Sequence, residues 1–193
     1  MLNQNTNYFT AQHVVNQARS LKSLSNDLYT DPLRFVYELV QNCDDVCQAK
    51  SILRIAIVDH RYLIVAHDGK PFSENDVRGL CDVGCSTKGQ DKEKTGYKGL
   101  GFQAVFRTSN YVSVLSNGKY FRFEENFKWG TANQQVWEEK NNRKFEYPWQ
   151  ICPIWTKTNE VPENIRKWFL GQLDAVATIT RLKSSVEIGD AIG

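Results

Sequence analysis

No run in this chain approaches the roughly 18 apolar residues that would cross a bilayer as a helix, which excludes a membrane span of that kind. Nor does it open like a secretory precursor. Met1 to Thr10 is polar and uncharged, with neither a basic start nor an apolar core. Charge of one sign is also missing. With 24 Lys and Arg against 22 Asp and Glu, the formal net charge is +2, so bulk electrostatics nominates no nucleic-acid partner. Local basic patches stay open. Cysteine is sparse and odd in number: Cys43, Cys47, Cys81, Cys85 and Cys152. Without a secretory signal, that count predicts reduced thiols and a cytoplasmic location. The pairs Cys43/Cys47 and Cys81/Cys85 are spaced more widely than a zinc knuckle, and no histidine stands beside them in sequence to complete a zinc set; Cys43 and Cys47 are one helical turn apart, and small buried side chains explain them. There is no internal repeat and no low-complexity tract.

What remains is an ordinary soluble composition over 193 residues, enough for one well-cored domain. Thr10 can cap a first helix over about 11–24, with Val14, Val15, Ala18, Leu21 and Leu24 along one side. Asp31-Pro32 starts a second helix running to about Ala49, with Phe35, Leu39, Cys43 and Cys47 on its apolar side. Ile52 to Val58 and Tyr62 to Ala66 read as strands across a turn at Asp59-His60-Arg61. Ser73 opens a third helix with Asp76 as a capping-box partner. Residues 84–98 lose all periodicity and read as a mobile polar loop, followed by a short helix after Gly101. Tyr111 to Leu115 and Lys119 to Glu124 form a hairpin across Asn117-Gly118. Residues 125–148 read as an irregular excursion, Trp149 to Trp155 as a strand, Pro162 to Leu173 as a helix and Ala175 to Leu182 as a strand. The predicted fold is α/β: a two-layer sandwich of a mixed β-sheet with helices on one face.

Glu38, Asn42 and Asp45 recur at helical spacing and share one stripe beside the apolar one. A solvated polar face has that pattern. So does a site: an Asn oxygen suits magnesium, and a carboxylate one turn away can deprotonate a water. Asp68 directly follows a strand in His67-Asp68-Gly69-Lys70. It reads either as a plain turn or as an acceptor for an exocyclic amine such as adenine's, because a carboxylate accepts and cannot donate. Gly96-x-x-Gly99-x-Gly101 lets the backbone approach phosphate, and a helix starting at Gly101 would aim its N–H groups at an anion. Lys98 can add a charge there or be merely solvated. A polar loop, not a strand, precedes these glycines, which argues against a dinucleotide fold. No Gly-x-x-x-x-Gly-Lys-Ser/Thr loop occurs, and no segment matches the protein-kinase set. The stripe and the glycine loop together suggest an ATP site.

These residues resemble the GHKL ATPases, which include gyrase, the ninety-kilodalton heat-shock chaperone, bacterial histidine kinases and MutL. The Glu-x-x-x-Asn-x-x-Asp helix, the Asp after a strand, the Gly-x-x-Gly-x-Gly loop and a late strand Thr stand in that family's order. Within it, Leu80-Cys-Asp-Val-Gly-Cys-Ser-Thr-Lys88 and Gly96-Tyr-Lys-Gly-Leu-Gly-Phe-Gln-Ala-Val-Phe106 are similar to the sacsin-like and NO VEIN-like branch. The resemblance covers about residues 30–182. It implies the histidine-kinase-like ATPase fold, with Glu38 as general base and Asn42 as magnesium ligand. Asp45 would support the adenine side, and Asp68 with Thr178 would bind the adenine. Gly96, Lys98, Gly99, Gly101 and Phe102 would lie along the phosphates. Ser86 and Thr87 would begin a lid over about 84–98. Two departures stand out. The family's Asp-x-Gly-x-Gly is here Asp68-Gly69-Lys70-Pro71-Phe72, with the glycines shifted, as the sacsin-like branch often has it. In gyrase and the heat-shock chaperone a basic residue from a following domain completes catalysis; this chain stops soon after the Thr178 strand, which implies an N-terminal piece of a larger protein.

The resulting expectation is one domain over 1–193 that binds ATP and Mg2+ and slowly hydrolyses ATP, weakly in this fragment, as a conformational switch for downstream domains of the same polypeptide. Chaperone-like, DNA-related and antiviral-defence roles stay open, as do a homodimer and a nucleic-acid partner. Three rivals remain: a nucleotide-binding interaction module without significant hydrolysis, a histidine kinase catalytic domain, and a non-enzymatic interaction domain. The kinase would need a phosphorylatable His partner, and none of His13, His60 and His67 lies in an obvious dimerising helix.

Overall fold

The computed structural model describes residues 2–27, 33–81, 100–128, 132–169 and 176–182. Seven α-helices and six strands lie along these stretches: α1 (Leu2–Asp27), α2 (Arg34–Asp44), β1 (Leu53–Val58), β2 (Tyr62–His67), α3 (Glu74–Cys81), α4 (Leu100–Gln103), α5 (Val105–Thr108), β3 (Ser109–Ser116), β4 (Lys119–Glu124), α6 (Ala132–Asn141), β5 (Ile154–Thr156), α7 (Glu163–Trp168) and β6 (Val176–Leu182). None of the described helices is long and apolar enough to cross a membrane.

The strands form one six-stranded sheet in the order β1-β2-β6-β3-β4-β5. Every pairing is antiparallel, which corrects the expectation of a mixed sheet. Two hairpins supply β1/β2 and β3/β4, and the last strand enters between them running against both neighbours. The β3–β4 turn has Asn117 and Gly118 at φ of 48° and 71°, the left-handed pair that a tight hairpin requires.

Because strand side chains alternate, the register sorts residues by face. Leu63, Val65, Val112, Val114, Phe121 and Phe123 point to one side and pack with Phe35, Leu39 and Cys43 of α2 and with Phe102, Val105 and Phe106. Ile64, Ala66, Leu115, Tyr120, Ala177 and Ile179 point to the other side and pack with Val161 and Ile165. The second face is therefore covered by α7 and its approach, not left bare, so the prediction of helices on one face is half right. Arg54 lies over the Trp168 ring, 4.1 Å from its centroid, and extends that cover toward β1. On the first face β1 outruns its cover: Leu53, Ile55 and Ile57 stay exposed on an open sheet edge.

Several boundaries differ from expectation. The first helix begins at Leu2, so Thr10 lies inside it and not at its start. The second ends at Asp44, not Ala49. Its last turn has no basic residue to offset the exposed carbonyls, and the Val46 carbonyl accepts from Lys70 N–H at 3.3 Å instead of continuing the helix. Residues 125–148 contain α6, anchored by Trp137, which packs with Ala11 and Val15 of α1 and donates its indole N–H to Gln12 at 3.0 Å. The Trp149 segment is a 3-10 turn, Trp149–Ile151, before the short β5. The third helix starts as expected: Ser73 N–H donates to Asp76 Oδ2 at 2.8 Å, and Asp76 N–H donates to Ser73 Oγ at 3.3 Å. Ser73→Ala removes one half of that box and should cost about 1 kcal/mol, read as a lower denaturant midpoint at unchanged slope.

Candidate functional site

Helix α2 carries the stripe. Its core side is Phe35, Leu39 and Cys43, all buried. One step around, Glu38 is half-buried, while Asn42 and Asp45 are exposed, with Asp45 as the C-cap residue. Glu38 Oε1 accepts from Arg34 Nε at 2.9 Å and lies 2.8 Å from Arg34 Nη2.

The other oxygen of Glu38 faces Gly101 in α4. A Cβ placed on Gly101 would collide with Oε2 and lie 3.1 Å from Cδ. The Gly101 backbone has no left-handed torsion, so space and not conformation demands glycine here. The helix carboxylate and the last glycine of the loop, distant in sequence, thus meet in the fold. Phe102, next to Gly101, is turned away: it is buried, with Phe106 and Phe123 at ring distances of 5.7 and 6.0 Å. Any ligand contact from Phe102 would come from its backbone.

Asp68 follows the last residue of β2 and is exposed, and its Oδ1 accepts from Ile52 N–H at 2.8 Å. The contact fixes the carboxylate beside the entry to β1 and leaves its second oxygen as an acceptor. Gly69 is tightly enclosed, since an added Cβ would stand 2.9 Å from Val46 O and 3.0 Å from Cys47 Sγ. Gly69 N–H donates to Nδ1 of the buried His67 at 3.1 Å. The sequence marks Gly69 only as a turn residue; the structure makes it the point where the Asp68 loop docks on the end of α2. Thr178 is buried on β6, paired with Val65 on one side and Val114 on the other; on β2 it stands level with a residue three positions before Asp68.

Ser86, Thr87, Gly96, Lys98, Gly99 and the lid over about 84–98 lie outside the described residues. The candidate side chains described, the carboxylates of Glu38, Asp45 and Asp68 and the amide of Asn42, offer hard oxygens, the donor type that magnesium takes. Among the described residues no three His, Cys, Asp or Glu are grouped to hold a metal. Burial, with Cys47 alongside, pushes the Cys43 thiol up to about 12, and burial also raises Cys152, so neither is a ready thiolate.

A family profile described as Sacsin domain matches residues 17–152. That span holds every described candidate residue except Thr178. Protein NO VEIN of Arabidopsis thaliana is 37% identical over 108 residues, covering 55% of this chain and 4% of that protein. Sacsin of Homo sapiens is 30% identical over 111 residues, covering 50% of this chain and 2% of that protein. The chain therefore spans a small fraction of the curated relatives it matches.

Proposed function

Because the chain belongs to the Sacsin domain family, a membership carried by its span of 17–152, we propose that it is a GHKL-type ATPase domain that binds ATP with Mg2+ and hydrolyses it as a switch for the polypeptide around it. The observation that carries this reading is the meeting of Glu38 with Gly101. A phosphate cradled at the glycine loop would lie beside a carboxylate placed to use it.

Each residue then has a task. Glu38 takes the proton of the water that attacks the terminal phosphate. The Asn42 amide oxygen ligates Mg2+, which neutralises charge on the phosphates when bound. Asp68 accepts the exocyclic amine of adenine, helped by Thr178, and Asp45 supports the adenine side. Gly96, Gly99 and Gly101 bring backbone N–H groups to the phosphates, with Lys98 adding charge and Ser86 and Thr87 opening the lid.

Calorimetry with Mg·ATP and Mg·GTP tests the reading. ATP should bind and GTP should bind far more weakly. Asp68→Asn should weaken ATP by about 1–3 kcal/mol, because it sets a misoriented polar group against the adenine edge. Equal binding of both nucleotides, or binding of neither, would sink the proposal.

A further inference from the structure

Arg34 precedes Glu38 by one turn of α2, and its Nε and Nη2 both address one carboxylate oxygen, at 2.9 and 2.8 Å. Pairs at this spacing are commonly surface helix staples, and the described residues contain two: Glu74–Arg78 and Glu163–Lys167. In both, the two side chains are well exposed, at 79 and 71% and at 68 and 67%. Both also place the acid before the base, the order that agrees with the helix dipole. Arg34–Glu38 breaks the pattern twice. The base comes first, and the Glu38 side chain is only 16% exposed while Arg34 is 53% exposed. Neither property is the best arrangement for a helix staple. A cation aimed at a functional carboxylate has both.

We infer that Arg34 is a ligand of the terminal phosphate of ATP, held at Glu38 until that phosphate arrives. The inference rests on the nucleotide reading above. Along α2 the residues assigned to adenine, magnesium and base follow one another as Asp45, Asn42 and Glu38, and the next turn in the same direction is Arg34. It therefore stands at the end where a triphosphate extends beyond a diphosphate. A guanidinium is a fork of five donors suited to phosphate oxygens, and Nη1 takes no part in the pair with Glu38. As the guanidinium turns to phosphate, Glu38 Oε1 is released for the proton of the attacking water. The base is thus freed by the substrate it acts on.

The test compares Mg2+ complexes of a non-hydrolysable ATP analogue and of ADP, titrated calorimetrically into wild type, Arg34→Ala and Arg34→Lys. Arg34→Ala should lose about tenfold or more in affinity for the triphosphate, the size of a charged hydrogen bond to phosphate, and stay within about twofold for ADP. Arg34→Lys keeps the charge without the fork and should fall between. Unchanged ADP binding also reports that the variants are folded. If Arg34→Ala weakens both nucleotides equally, or neither, Arg34 is a helix staple and the inference is overturned. If wild type binds neither nucleotide, the nucleotide reading fails and takes this inference with it.

Discussion

Replacing Glu38 by Ala should lower ATP turnover by about a hundredfold or more while Mg·ATP still binds, because a general base contributes to the transition state and little to ground-state affinity. Asn42→Ala should act differently, although only one turn separates the two. It removes a magnesium ligand, so magnesium-dependent binding and turnover should both decline. Single-turnover hydrolysis of labelled ATP reads the chemistry even when it is slow, and calorimetry reads binding. Wild-type turnover in Glu38→Ala would end the mechanism and return the stripe to a solvated face.

An equally large loss is expected from the smallest possible change at Gly101. The Cβ of Gly101→Ala would occupy the space of Glu38 Oε2. The carboxylate is the far end of a flexible chain, so it should swing away at a rotamer cost of roughly 0.5–1.5 kcal/mol. Alanine's helix preference over glycine, roughly 0.5–1 kcal/mol, offsets most of that. The variant should therefore melt within a few degrees of wild type. Its base, however, is displaced from both Gly101 and Arg34, and turnover should drop toward the Glu38→Ala level. A double mutant decides the matter, since residues acting as a unit are not additive. Gly101→Ala with Glu38→Ala should be no slower than Glu38→Ala alone. A multiplied loss would mean that Gly101 acts through something other than this carboxylate.

The legible parts of this chain were those with local chemistry. Asn117-Gly118 declares its hairpin, Ser73 and Asp76 their helix start, and the spacing of Glu38, Asn42 and Asp45 their shared stripe. The α6 helix was hidden because it docks on another helix through Trp137, with no amphipathic stripe to betray it. The end of α2 was misjudged because a distant backbone group, Lys70 N–H, takes the Val46 carbonyl. The all-antiparallel order was illegible for a similar reason: nothing in Ala177-Thr178-Ile179 states which neighbours it will pair with. At the site, residue types could be chosen from sequence but their meetings could not. Gly101 against Glu38 is tertiary, and an Arg four residues before a Glu looks like any exposed helix pair until the burial of each partner is known.

The position of β6 bears on how the chain is made. Sheet order puts the last strand between two hairpins whose four strands all leave the ribosome earlier. Before it, β1/β2 is a two-stranded hairpin, which alone is marginal in water, and β3-β4-β5 is a three-stranded piece; each waits as an incomplete sheet, with β2 and β3 offering unpaired inner edges. Only the arrival of Val176–Leu182 closes the gap and joins the halves. Until that point the two pieces of sheet stay open to misassembly, and a premature stop before β6 would leave them unjoined.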